Sequence, residues 1–352
     1  MKFITAILVA ICLSLGSFAC DIVPLPEARS NHAVAWINPM NSTKADQTMI
    51  LVAGGLKNGR TWQHVSKDVY LFKKGAKQWE EMPPLPIKEQ GVLAATAVGI
   101  GAHFYIFGGY TVAEDGSEKS TSYGVKFDPA KKTYTRLPPM PTPVDDTVSF
   151  VYRERFIYLV SGWHDTGNVS LVQVYDTIEK IWRRATDYPG SPVFGHAGGI
   201  IGNQFIIADG VAVVGKTKEG RRKFDTVNEQ WLGTIDPENP LNVTWKRLPQ
   251  LPGKGNYRMA AAGISDASFM LFTGGSSNAY NYSGIGYNGE PSQPSPHTWG
   301  WDFKAGKWRV LKNWSKATMD HRGLVKINET WFTVGGMGRD QKLLKMSYPH
   351  QW

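Results

Sequence analysis

Six times along the 352-residue chain an apolar run ends in a glycine that follows another small or polar residue. The runs are Leu51 to Gly55, Tyr105 to Gly109, Tyr158 to Gly162, Phe205 to Gly210, Met270 to Gly275 and Trp331 to Gly336. After each run comes a loop of variable length. Five repeats then carry an aromatic anchor, Trp79, Tyr134, Trp182, Trp245 or Trp308, and four continue into a proline-bearing link (Leu85-Pro86, Leu137-Pro138, Tyr188-Pro189 and Leu248-Pro249). A unit of roughly 50 residues repeated in this order is one supersecondary element that buries its apolar faces only by stacking on its neighbours. The expected element is a four-stranded antiparallel sheet. Its second strand ends in glycine, where the backbone turns with positive φ and the next sheet presses close, and its anchor packs between sheets. The repeat therefore predicts an all-β fold, a six-bladed β-propeller.

The sixth repeat lacks an anchor strand. After Gly336 only Lys342 to Tyr348 remains as a third strand, whereas Ile22 to Pro26 has the form of a link standing before the first repeat. The N-terminal segment is thus expected to supply the outer strand of the last blade and close the ring, which removes exposed sheet edges. No linker divides the chain, so residues 20–352 read as one domain. Residues 1–19 read as a signal peptide: Lys2, an apolar run from Ile4 to Leu15, and small residues at Ser17 and Ala19. This predicts export, to the periplasm or outside the cell. Cys20 directly after Ala19 permits a second reading, a lipid anchor on that cysteine. The apolar run is short of the ~20 residues a membrane span needs, and no transmembrane segment is expected. With Cys12 and Cys20 the only cysteines, no disulfide or cysteine-based zinc site forms inside the domain. Six glycosylation sequons occur, at Asn41, Asn168, Asn242, Asn281, Asn313 and Asn328. They matter only in a eukaryotic secretory route, and the leader looks bacterial.

The formal net charge is +9. The longest basic cluster, Arg221-Arg222-Lys223, is short, and nucleic-acid binders concentrate their charge in longer stripes. A nucleic-acid partner is not expected. An acidic sugar or anionic glycan suits the charge, as does plain solubility.

Candidate chemistry gathers at the starts of the six first strands. These carry Arg29 and His32, Glu89 and Gln90, Asp145 and Asp146, His196, Asn256 with Tyr257 and Arg258, and Asp320 with His321 and Arg322. Arginine forks match a carboxylate, and histidine with carboxylates exchanges protons near neutral pH. The bland alternative is that Arg29 and His32 brace neighbouring blades. Of Asp145 and Asp146 only one can face the channel, since adjacent strand residues point to opposite faces. The loops most variable in length run from Tyr110 to Ser122, Trp163 to Ser170, Val211 to Asn228 and Ser276 to His297. The last is rich in Tyr, Asn and Gly, and Tyr282 within it is a candidate to stack on a sugar. His164 and Asp165 lie beside that rim. Histidines are dispersed, no metal-ligand spacing occurs, and no cofactor is expected.

With its repeats laid out, the chain resembles kelch-repeat propellers, and among the secreted bacterial ones the N-acetylneuraminate epimerase (sialic acid mutarotase) group. The motifs that carry the likeness are Trp79, Leu85-Pro86 and the run Tyr105 to Gly109. The resemblance implies conversion of the α to the β anomer of N-acetylneuraminate outside the inner membrane. It also implies a glutamate base just after the glycine closing the fourth repeat's second strand. Here that stretch reads Ala208-Asp209-Gly210-Val211, so Asp209 is the substitute, with Glu89 as a second candidate base. His196 or His321 would be the acid. Arg258 and Arg322 would hold the substrate carboxylate, flanked by Arg29, His32, Asp146, Tyr257 and Tyr282. Two other classes use the same residues: a uronate polysaccharide lyase, with His196 or Tyr257 abstracting the proton, and a non-catalytic glycan- or protein-binding propeller.

Overall fold

The computed structural model describes residues 22–39, 47–314 and 316–350. The leader 1–19, Cys20 and the sequon at Asn41 lie outside the described residues. Among the described residues six antiparallel sheets stand around one axis as blades, and three two-stranded hairpins project from their loops. Their inner strands are Ala33–Ile37, Thr96–Ile100, Val148–Tyr152, Ala197–Ile201, Ala260–Ile264 and Val325–Ile327. The first sheet continues outward through Met49–Ala53, Val69–Lys73 and Glu80–Met82, and the second to fifth repeat that order of four strands. No helix among the described residues is long and apolar enough to cross a membrane.

The glycine repeat does the work of joining blades. The second residue of each pair donates its N–H to a carbonyl at the start of the next blade's inner strand. The bonds are Gly55 to Val92 (2.9 Å), Gly109 to Val144 (3.3 Å), Gly162 to Val193 (2.8 Å), Gly210 to Asn256 (3.0 Å), Gly275 to Thr318 (3.0 Å) and Gly336 to Arg29 (2.8 Å). Gly55 shows why the residue is glycine: φ is +94°, and a Cβ there would lie 2.6 Å from the Ser30 carbonyl.

The aromatic anchors act between blades as well. Trp182 Nε1 donates to Pro138 O (2.9 Å) and Trp308 Nε1 to Pro249 O (2.7 Å), while the Tyr134 hydroxyl donates to Pro83 O (2.6 Å). Trp245 meets the proline-bearing link of the blade before only through its ring, 5.5 Å from Tyr188, whereas these three anchors tie their blades to that link. Trp79 does the same to the N-terminal segment, donating to Val23 O at 2.8 Å. That segment is therefore the link of the last blade, and it closes the ring. Leu25 N–H bonds Lys345 O (2.7 Å) and Arg29 N–H bonds Leu344 O (2.9 Å). Ile22 and Leu25 are buried among Val325, Phe332 and Val334 of the last blade and Ile50, Val52 and Phe72 of the first.

Among the described residues the last blade has three strands, and the closing segment runs beside them without itself forming a ladder. Its third strand is Ser347–His350, later than the expected Lys342 to Tyr348, because a 3-10 turn at Arg339–Gln341 occupies the preceding loop. Between blades the apolar faces interlock through aromatic pairs such as Phe150 on Phe205 (4.5 Å) and Phe107 on Trp182 (5.4 Å).

Candidate functional site

Just before each inner strand one residue adopts the left-handed conformation: Asn31 (φ 55°), Ala94 (53°), Asp146 (52°), Gly195 (60°), Arg258 (56°) and Asp320 (69°). Backbone bonds link these positions around the axis, from Ala94 to Asn31 (3.0 Å), Asp146 to Ala94 (3.1 Å), Gly195 to Asp146 (2.8 Å) and Arg258 to Gly195 (2.6 Å). Equivalent positions of different blades are thereby gathered into one circle.

The side chains on that circle meet one another. Arg258 Nε and Nη2 donate to Asp146 Oδ2 at 3.0 and 2.5 Å, and its Nη1 to Asp320 Oδ1 at 2.9 Å. Arg322 lies 2.8 Å from Asp146 Oδ1 and also bonds Asn31 Oδ1. The Tyr257 hydroxyl donates to Asp146 at 3.1 Å. Burial pushes the Asp146 carboxyl up, but Arg258 and Arg322 outweigh it and hold the group below the usual carboxylate range. All four charged residues are within a few per cent of full burial. The arginine forks expected to await a carboxylate are therefore filled from within the protein. Tyr280 covers them, its ring 5.3 Å from the Arg258 guanidinium.

The remaining expected residues disperse. Arg29 bonds Gly54 O (2.7 Å), Ser66 Oγ (3.1 Å) and Asp68 (3.2 Å), a brace within the first blade. His196 Nε2 lies 2.8 Å from Val160 O of the preceding blade, and burial lowers its pKa to about 4. His32 bonds Val334 in the corresponding way, and burial assisted by Arg29 and Arg322 lowers its pKa to about 3. His321 Nε2 lies 2.8 Å from Thr318 Oγ1 and is pulled well down by burial. Asp209 takes the position of the first glycine in the other repeats, with φ 60°. It accepts bonds from Gln230 Nε2 (2.5 Å) and the Asn256 N–H (2.8 Å), so its carboxylate clamps the fourth blade to the fifth. Burial raises its pKa to about 7. Glu89 is exposed outside the circle, because the link from Leu85 to Ala94 is longer than that from Leu25 to Asn31 and shifts it outward. Tyr282 packs on Leu56, Leu93 and Tyr110 of the first two blades. Its loop crosses the channel mouth, where Arg60 Nη1 donates to Ser283 O (3.0 Å) and Gln341 Nε2 to Ser292 O (2.8 Å).

On the same rim, between the second and third blades, a small cavity of about 20 Å³ opens. Two of the variable loops build it by folding as hairpins: Tyr110–Val112 with Glu118–Ser120, and Trp163–His164 with Gly167–Asn168. Tyr110, Glu118, Lys119, Ser120, Asp145, Trp163 and Asp165 line it. The Ser120 hydroxyl donates to Asp145 at 2.6 Å, and its N–H to Asp165 at 2.7 Å. Burial raises the Asp145 carboxyl well above its usual range, with Asp146 and Glu118 adding to the shift. Glu118 is exposed as a residue, yet the protein packed around its carboxyl raises it too, and Arg258 partly offsets this. Tyr287 reaches toward the same charges: the residue is 45% exposed, yet surrounding protein raises its hydroxyl, which feels Arg258, Glu118, Asp146 and Asp145. Such a cavity holds two carboxyl groups raised above the usual range, one cation and aromatic faces together. Sequence reasoning marked both loops and Asp145 but missed Glu118, Lys119 and Ser120, which stand in no motif. Among the described residues no group of three or more His, Cys, Asp or Glu could hold a metal ion.

No family model matches the chain. It is similar to Kelch-like protein 15 of Gallus gallus, 24% identical over 156 residues that make up 44% of this chain and 30% of that protein. It is also similar to Kelch-like protein 38 of Mus musculus, 28% identical over 156 residues, 44% of this chain and 25% of that one. The chain thus aligns with less than a third of either relative. Among solved structures it resembles one described as "Structure of YjhT", with a TM-score of 0.70, 16% identity, and cover of 92% of this chain and 95% of that one. Repeat, blades and structural likeness agree that the chain folds as a six-bladed β-propeller, and the relatives it is similar to are kelch-like proteins.

Proposed function

We propose that the protein is an exported, carbohydrate-active propeller that interconverts the anomers of an acidic sugar such as N-acetylneuraminate. The observation that carries this reading is the rim cavity, where burial keeps two carboxyl groups, Asp145 and Glu118, above the ordinary carboxylate range beside Trp163 and Tyr110. Mutarotation needs an acid and a base and no net change in bonds. Glu118 removes the proton of the anomeric hydroxyl while Asp145 delivers one to the ring oxygen. The bond from the anomeric carbon to the ring oxygen breaks, the carbonyl turns, and the reverse steps close the other anomer. A base of raised pKa is better matched to this task than an ordinary carboxylate. Lys119 meets the sugar carboxylate, and Trp163 or Tyr110 offers a ring face for the pyranose. The buried arginines Arg258 and Arg322, His196 on the Val160 carbonyl and His321 on the Thr318 hydroxyl then frame the site without touching substrate.

A lyase finds less support, since it requires an arginine free to neutralise a uronate, and both central arginines are occupied by carboxylates. Binding without turnover is favoured by one observation: the cavity, at about 20 Å³, is far below the ~300 Å³ at the low end of ligand pockets, so a sugar would lie across its mouth. NMR anomer exchange on N-acetylneuraminate and on uronic acids tests the proposal. Acceleration over buffer, lost in Glu118→Gln, is the expected result. Exchange at the buffer rate for every acidic sugar, with retained binding, establishes the non-catalytic reading instead.

A further inference from the structure

The third variable loop, on the fourth blade, folds as a projecting hairpin of Val211–Lys216 and Arg222–Thr226. Its distal half carries Lys216, Lys218, Arg221, Arg222 and Lys223 against a single acid, Glu219. Lys216 stands directly opposite Arg222 in the ladder, an arrangement of like charges that weakens a strand pair. Arg222 is engaged, stacked 5.2 Å over Trp163 and bonded to Thr166 O. Glu219 is taken up by Thr217. Among the described residues none of Lys216, Lys218, Arg221 and Lys223 makes an ion pair, and all four are exposed. Four unpaired, mutually repelling cations on one projection are a surface suited to an external polyanion.

The base of the hairpin indicates which polyanion. Phe224 stacks on the exposed Tyr287 ring at 4.3 Å and lies 5.7 Å from Trp163, which also lines the rim cavity. Val213 and Val214 are exposed alongside. The tip from Thr217 to Arg221 holds no aromatic or large aliphatic residue to enter a bilayer. Cations at the far end, ring faces in the middle and a cavity at the near end form a track for a chain of sugars.

We infer that the hairpin is a binding site for an acidic polysaccharide or oligosaccharide, so that the protein engages its sugar as part of a chain. The direction of the track rests on the carbohydrate reading of the cavity, but the binding itself can be measured apart from turnover. Purified protein is titrated with polygalacturonate, with neutral dextran, and with vesicles of phosphatidylglycerol in phosphatidylcholine. The comparison is a variant combining Lys216→Gln, Lys218→Gln, Arg221→Gln and Lys223→Gln. The expected result is binding to polygalacturonate alone, about tenfold or more weaker in the variant (about 1.4 kcal/mol) and weakened by added salt. The thermal midpoint of the variant should be unchanged or higher, since repulsion is relieved. Glu118→Gln should bind the polymer like wild type, so loss of anomer exchange there with retained binding leaves this inference standing. Equal binding by the charge variant, binding to vesicles in place of polysaccharide, or no binding to either overturns it.

Discussion

Arg258 sits with its guanidinium between two buried carboxylates, Asp146 and Asp320, and that pairing sets what any change there does. Arg258→Met removes the cation and leaves both acids buried without it. Breaking a buried ion pair in this way costs about 3–5 kcal/mol, so denaturant unfolding should show a loss of that size. A loss under about 1 kcal/mol, the range of an exposed pair, would mean that water reaches the circle and that Arg258 is open to ligand after all. Glu118→Gln should behave oppositely, leaving the unfolding midpoint unchanged while slowing anomer exchange by about 10²-fold or more, the usual contribution of a general base. The sequence named the right residue types at the strand starts, and Asp146, Arg258 and Arg322 do converge. What it could not show is that their charges cancel one another, because the partner of each lies on a different blade more than 60 positions away in the chain. Glu89 was misplaced for a simpler reason, a longer link that shifted its register.

Between blades, the unit of stabilisation is an anchor ring whose polar edge meets the carbonyl of the preceding link. Trp79 is informative because its acceptor, Val23 O, belongs to the N-terminal segment. Trp79→Phe keeps most of the ring and removes the donor, a loss of about 1 kcal/mol for one hydrogen bond plus a small packing term. It should cost at least as much as Trp182→Phe, whose acceptor is the more exposed Pro138 O. If Trp182→Phe destabilises and Trp79→Phe does not, the N-terminal segment does not close the ring in solution. This level of organisation was the most legible in the sequence. The glycine pairs, anchors and links recur with a fixed order, and each repeat must present the same contacts to its neighbours. The hairpins of the rim were not read from the sequence, since loops on a rigid scaffold are free to vary, although Asp115-Gly116, a turn signal, stands between Tyr110–Val112 and Glu118–Ser120.

Closing six blades into a ring buries histidines that an open sheet would leave wet, and the whole molecule inherits a pH dependence from them. His32, His196 and His350 are held at about 3, 4 and 4 by burial, with Arg29 and Arg322 adding to the effect on His32 and Asp146 opposing it on His196. Unfolded histidine titrates near 6.5. Between that value and the folded pKa the unfolded chain binds protons that the native protein does not, so stability falls as pH falls through this window. Each histidine contributes on the order of a few kcal/mol when fully expressed. Asp209 acts in the other direction. Its carboxyl, raised to about 7, favours the folded state at low pH, and that contribution is lost as pH rises from the unfolded value near 4 toward 7. Asp145 and Glu118, also raised, act with Asp209, while the lowered His321 joins the other three histidines; the four histidines outweigh these acids by a modest margin, so the thermal midpoint should drop from pH 7 to pH 5. His196→Gln, whose amide can still donate to Val160 O, should flatten that slope without lowering the midpoint much at pH 7.5. A midpoint that holds constant from pH 7 to pH 5 would mean that these rings are hydrated in the native state and that the blades are less tightly joined than their hydrogen bonds imply.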